Sequence, residues 1–198
     1  MKSAQTRSWK GRTFEERAAQ RRDQLVDAAV ELIGTAGVSA VTLRAICGEA
    51  GLSLRFFYES FGDFDQLIVA AYDTALARLR EAIESAPAGS VDARAQLHAA
   101  FDAAAELVET DPRVGRILFR EPFAHDVLRG HAVATVPLFF LGVLSSAFHG
   151  LELPTDLQVS AASGALINLF LNWTEGMLGT DRARFVDHCT DVALRLLW

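Results

Sequence analysis

The sequence predicts an all-α protein of about nine helices. Three observations carry that expectation. Apolar residues recur at the 3.6-residue period along almost the whole chain. No run alternates apolar and polar residues between turn signals, as a half-buried strand would. Helix caps and breakers fall at spacings that suit helices of about two to seven turns.

Taken in order, the first helix starts at Thr13, where "TFEE" has the form of a capping box closed by Glu16. Its apolar stripe is Leu25, Ala28, Ala29, Leu32, Ile33 and Ala36, and Gly37 ends it as a C-terminal cap. The second helix starts after Thr42, buries Leu43, Ile46, Cys47 and Ala50, and stops at Gly51. The third runs from Ser53, its capping residue, to about Phe61, where Gly62 breaks it. Asp63 caps a long fourth helix over about 63–85, whose apolar face includes Leu67, Ile68, Ala71, Tyr72, Leu76 and Leu79. "PAGS" at 87–90 closes it, and a fifth helix covers about 91–109. "TDP" at 110–112 makes a break and a fresh start, with Asp111 as cap and Pro112 at the first helical position. That sixth helix is expected to end at Glu121, because a proline disfavours helical geometry in the residue before it. The seventh covers about 123–149, with Pro137 as a place to kink. "GLELPTD" is a loop, and the last two helices cover about 155–177 and 181–197.

The length of 198 residues allows one large domain or two small ones. Hydrophobic residues make up 51% and charged residues 22%, the profile of an ordered soluble protein. The net charge of −6 hides an asymmetry. Residues 1–22 carry seven Lys/Arg against Glu15 and Glu16, a local net of +5, whereas residues 61–198 carry a net of −8. A basic end on an acidic body points to a polyanion at that end, or to a solvated tail. Cys47 and Cys189 stand far apart with no CxxC, so neither a disulfide framework nor a metal site is expected. The polar N-terminus has no apolar run of signal type, which implies a cytoplasmic protein. No charge occurs between Arg129 and Glu152, or between Asp156 and Glu175. Both runs are dotted with His, Ser, Asn and Thr, and they read as helices inside a helical domain rather than as membrane spans.

Function concentrates in the second and third helices. Two helices of about eight residues, joined by a three-to-four-residue turn that contains Gly51, make a helix-turn-helix. In that motif the second helix lies in the DNA major groove with its N-terminal residues at base edges. The stretch "SLRFFYESF" at 53–61 divides by face accordingly. Leu52, Phe57 and Phe61 point inward, leaving Leu54, Arg55, Phe56, Tyr58, Glu59 and Ser60 outward or at the edge. Arg55 suits bidentate donation to guanine, and Tyr58 and Ser53 suit phosphate.

The segment "VTLRAICGEAGLSLRFFYESFGDFDQL" (41–67) resembles the DNA-binding segment of tetracycline-repressor-type (TetR) regulators, through Thr42, Ile46, Ala50, Gly51, Ser53, Tyr58 and Phe61. The stretch before it, "WKGRTFEERAAQRRDQLVDAAVELIGTAG", is similar to the arm and first helix of actinobacterial members. The resemblance implies a ligand-responsive repressor that binds a palindromic double-stranded DNA operator as a homodimer, with no cofactor. Residues 1–62 would form the arm and DNA-binding domain, and residues 63–198 the effector-binding and dimerisation domain. By position, Thr42, Arg44, Ser53, Arg55, Tyr58 and Ser60 would contact phosphate or base edges. Three departures stand out: Phe64 where a lysine is common, Phe56 where a small residue or threonine is common, and Glu59, which adds a negative charge. Phe56 can touch a thymine methyl and Glu59 can accept from cytosine N4, or else Phe56 is half-buried and Glu59 solvated. With so little charge on these two helices, Lys10 and Arg12 in the arm, with Arg17, Arg21 and Arg22, are expected to supply much of the salt-dependent affinity.

In the C-terminal part aromatic residues cluster, which suits either a core or an apolar pocket. Phe101, Phe119, Phe123, His125, Phe140, Asn168 and Trp173 are the candidate lining of a small-molecule effector site. The small-residue run "SAASGA" at 160–165 lets helices approach closely. Leu157, Ala161, Gly164 and Ala165, with Phe185, Cys189, Val192 and Leu196 of the last helix, are the candidate dimer seam, or an ordinary intramolecular contact. An enzyme is the rival class: "HD" at 125–126 with His131 has the look of a metal-dependent phosphohydrolase fragment. The remaining ligands are missing, and no GxSxG, HExxH, P-loop or GxGxxG occurs. A regulator that dimerises without sensing a small molecule is the other alternative.

Overall fold

The computed structural model describes residues 14–86, 92–147 and 154–198, and all regular structure among them is helical. The order is α1 (Phe14–Ala36), a 3₁₀ turn (Val38–Ala40), α2 (Leu43–Glu49), α3 (Leu54–Ser60), α4 (Phe64–Glu84) and α5 (Ala93–Thr110). Next come α6 (Pro112–Gly115), a wide π-type turn (Arg116–Arg120), α7 (Glu121–Ala124), α8 (Asp126–Ala147), α9 (Asp156–Thr174) and α10 (Arg182–Leu197). With α6, the π turn and α7 counted as one rod, these are the nine helices expected. The capping box at Thr13, the "PAGS" closure and most of "GLELPTD" lie outside the described residues.

Caps set most boundaries as the residues dictate. The Ala45 N–H donates to the Thr42 hydroxyl, and the Gln66 N–H donates to the Asp63 carboxylate (3.2 and 2.8 Å). Past α2, Gly51 at φ 66 lets the Leu52 N–H reach the Cys47 carbonyl and its own N–H reach Gly48, a Schellman ending. This tight ending is what turns α3 sharply against α2. Ser53 departs from expectation. It occupies the N-cap position of α3 with extended backbone, but its hydroxyl makes no cap hydrogen bond.

The expected stop at Glu121 does not occur. Helical geometry passes through Pro122 and breaks at His125, whose backbone is extended (φ −136, ψ 121). The wide turn at Arg116–Arg120 resets the hydrogen-bond register, so Pro122 falls in the first turn of α7, where no donor is needed. Pro137 lies inside α8 without ending it.

One continuous core runs through the chain. Leu25, Ala29, Ile33, Ile46, Phe57 and Phe61 pack the first three helices, and Leu67, Ile68, Ala71 and Tyr72 of α4 continue that core. α4 packs on α1 and also on α5 and α8. Farther on, Trp173 stacks on Phe185 at 4.4 Å, and Phe170 stacks on Phe119 at 5.0 Å, tying α9 to α10 and to the π turn. Within α8, Asp126–Ser145 is long and apolar enough to cross a membrane by length and composition, and the helix packs against α4, α7 and α9. Both cysteines are free and buried, and burial pushes the Cys189 thiol up to about 12.

The end of α1 is held from the C-terminal part. The Val38 N–H donates to the Glu121 carboxylate (2.9 Å), and Arg116 Nε donates to the same carboxylate (3.0 Å). Arg116 also donates to the carbonyls of Thr35 and Ala36, the last of α1 (3.3 and 3.2 Å). Gly37 makes this possible. Its φ of 88 with ψ 155 is a glycine conformation, and a Cβ there would stand 2.7 Å from Arg116 Nη2. Gly37→Ala is therefore expected to cost about 2 kcal/mol, seen as a lower urea midpoint at unchanged slope.

Candidate nucleic-acid interface

The candidate reading surface is built on α3, because its inward face is fully committed. Phe57 is completely buried and stacks on Phe61 at 5.9 Å, so the opposite face must turn outward. Arg55 is 84% exposed and Tyr58 is 64% exposed; Ser53 and Leu54 lie beside them. Thr42 and Arg44 are exposed at the start of α2, where the Thr42 hydroxyl already accepts the cap hydrogen bond. Arg55 Nε donates to Glu59 Oε1 at 2.9 Å, so Glu59 is neither isolated nor merely solvated. With Nε engaged, only the terminal nitrogens of Arg55 are left to address a base.

Two of the expected contacts are less free than the sequence implies. The Ser60 hydroxyl donates to the Phe56 carbonyl (3.0 Å), a bond within the helix. Phe56 is half-buried beneath Arg21, whose guanidinium carbon lies 4.7 Å from its ring centroid. Arg22 sits in the same way over Phe61. Periodicity cannot find these pairs, because α1 and α3 are brought together only by the fold. Lys10 and Arg12 lie outside the described residues.

Residues 25–71 match the model of the bacterial regulatory proteins of the tetR family. This segment of the chain is similar to the N-terminal segment of tetR-family regulators. Over 82 residues it is 39% identical to the nicotine-responsive transcriptional repressor HdnoR of Paenarthrobacter nicotinovorans, covering 41% of this chain and 42% of that one. Over 61 residues it is 41% identical to the transcriptional regulator BetI of Rhizobium meliloti, covering 31% of this chain and 30% of that one. The chain thus spans less than half the length of the curated relatives it matches. A tetR-family regulator from Streptomyces coelicolor shares the fold at a TM-score of 0.71 and 21% identity, over 90% of this chain and 80% of that one. The tetR family is one of transcriptional regulators and not an enzyme class. Here Asp126 pairs with Arg129 (2.5 Å) and His131 with Asp73 (2.6 Å). Among the described residues no group of three or more His, Cys, Asp or Glu could hold a metal ion.

Residues of α4, α5, the π turn, α8 and α9 line an apolar cavity of about 80 Å³. Phe101, Phe119 and Phe140 line it as expected from the sequence. The other four candidates do not. Phe123 is 60% exposed, and His125 sits at the break between α7 and α8. Asn168 is exposed and accepts from Asn172, while Trp173 is spent on the stack with Phe185. Sequence reasoning missed the α4 contribution, Tyr72, Leu76, Leu79 and Ile83, because a cavity wall and a core stripe have the same spacing. The Tyr72 hydroxyl has no hydrogen-bond partner among the described residues and is the one phenolic group on that wall. Burial pushes its pKa upward, so it stays a neutral donor.

The candidate seam divides. Leu157 is 83% exposed, and Ala161 and Gly164 are exposed beside it on α9. Ala165, Val192 and Leu196 are half-buried. Phe185 and Cys189 are corrected: they face inward and pack within the subunit, with Phe185 against Trp173 and Phe170. The buried part of the α10 stripe, which also includes Val186, Ala193 and Leu197, serves the fold of its own chain.

Proposed function

We propose that this chain is a cytoplasmic transcriptional repressor that binds a palindromic operator as a homodimer and is released by a small apolar effector. The observation that carries the reading is α3. A short helix is anchored by Phe57 and Phe61 and offers Ser53, Arg55 and Tyr58 outward. On this reading residues 1–62 bind DNA and residues 63–198 bind effector and partner. Exposed Leu157, Ala161 and Gly164 on α9 support pairing through that helix. A two-fold dimer would set its reading helices about 34–36 Å apart, or a multiple of that.

The cavity supports an effector that is apolar and compact. Its volume lies well below the roughly 300–1,000 Å³ of drug-sized sites, so a larger molecule must push α4, α5 and the π turn apart. HdnoR is nicotine-responsive by name, which favours a small-molecule response here without assigning nicotine to this cavity. The π turn carries Leu118 and Phe119 on the cavity side and Arg116 on the side that grips α1. Filling the cavity can therefore shift the population of DNA-compatible spacings through both α4 and the π turn.

Gel-shift titration of duplexes from the DNA beside the chain's own gene tests this reading. One palindromic duplex is expected to be retarded. Arg55→Ala should weaken that complex about 10- to 100-fold while leaving random duplex binding nearly unchanged. No retarded duplex, or an Arg55→Ala loss equal on all sequences, would overturn it.

A further inference from the structure

We propose that Arg21 is a contact to the DNA phosphate backbone, and that Phe56 is the positioning residue that holds it there. The proposal rests on the reading of α3 as the DNA-reading helix, and it changes the role of Phe56 from base reader to platform.

Phe56 has no evident use in the fold. It belongs neither to the buried core nor to the hydrophobic residues packed against that core. Its one marked contact is the Arg21 guanidinium, 4.7 Å above the ring. Arg22 over Phe61 differs, because Phe61 is buried and holds α3 in place whether or not an arginine covers it. Arg21 Nε is buried and has no hydrogen-bond partner. Packing, not an ion pair, therefore fixes the side chain. Neither Arg21 nor Arg22 has an acidic partner among the described residues, whereas Arg55, Arg78, Arg94 and Arg113 all do.

The Arg21 guanidinium carbon lies over the Phe56 ring, and a guanidinium carries its N–H donors in one fixed planar fork. With Nε enclosed, the terminal nitrogens are what remains for an outside acceptor. Arg21 stands on α1, at the flank of a helix read as lying in the major groove, and the flank of such a helix faces sugar and phosphate. Holding the cation on Phe56 before DNA arrives reduces the rotamer freedom lost on binding. Arg55, paired to Glu59, then reads sequence, while Arg21 adds affinity without sequence preference.

Phosphate contacts act on any duplex, so the test needs no operator. The probe is a random-sequence duplex titrated with the full chain at several salt concentrations, with thermal melting to verify the fold of each variant. Arg21→Met, which keeps the packing stem, should lower the slope of log K against log salt by about 0.9 per subunit bound. Phe56→Leu should weaken binding about 2- to 10-fold at every salt concentration with the slope kept, the double variant should bind no more weakly than Arg21→Met alone, and Phe56→Tyr should keep wild-type affinity. A folded Phe56→Leu with wild-type affinity for random duplex, or one that loses as much affinity in the Arg21→Met background as in the wild-type chain, would overturn the proposal. An unchanged slope in folded Arg21→Met would overturn it as well. Failure of the wild-type chain to bind any duplex would overturn the DNA-binding reading itself, and it would be seen before any variant is compared.

Discussion

Phe57→Ala is expected to lower stability by about 4 kcal/mol and to abolish DNA binding. The side chain is completely buried and lies edge-on to Tyr58 and stacked on Phe61, at the meeting of α1, α2 and α3. Removing a buried phenyl ring costs about 3–5 kcal/mol, from lost transfer free energy and from the cavity left behind. α3 has only seven residues, too few to persist without a scaffold. Loss of its anchor therefore releases the reading surface as well as destabilising the core. For a chain of this size the melting temperature should fall by about 8–16 °C. Phe57→Leu, which refills much of the space, should lose less than half as much. A melting point within about 2 °C of wild type for Phe57→Ala would refute the anchoring role.

Glu121→Ala is expected to cost about 3 kcal/mol, the second largest effect. Its carboxylate is 4% exposed and takes hydrogen bonds from the Val38 N–H and from Arg116. Removing one member of a buried pair leaves the other charge uncompensated, at about 3–5 kcal/mol. The lower end applies, because Arg116 is 27% exposed and keeps the carbonyls of Thr35 and Ala36. Glu121→Gln retains an acceptor and should cost about 1 kcal/mol. Equal melting points for Glu121→Ala and Glu121→Gln would show that the carboxylate does not bridge α1 to the π turn. If that bridge carries effector release, Glu121→Gln should bind DNA normally but need more effector to let go, which a release titration would detect.

The bounds of α2 and the start of α4 were legible in the sequence because they are chemical. Thr42, Gly51 and Asp63 are residues that only a few backbone positions favour, and each stands where its chemistry requires. The run from Pro112 to Ala124 was misread at one point. The rule that a helix ends before proline assumes a fixed hydrogen-bond register, and the π turn changes that register. The outward face of α3 was legible, but the contacts its residues make were not. Spacing brings Arg55 to Glu59 within one helix, whereas nothing local brings Arg21 to Phe56. The same limit explains the cavity and the seam. Apolar stripes such as those of α4 and α10 mark a face that avoids water. Whether a hollow, the subunit's own core or a second subunit covers it is decided in three dimensions.

The pairing of Arg55 with Glu59 has a consequence for how such a regulator finds its site in a genome. The two charges cancel on the tip that would touch bases, so that tip attracts arbitrary DNA weakly. A bacterial chromosome offers about a million or more competing positions, and occupancy depends on the ratio of cognate to background binding. On the proposed assignment, cations flanking the tip set the background and the tip sets the ratio. Substitutions at the flank then change how long the protein scans, and substitutions at the tip change where it stops.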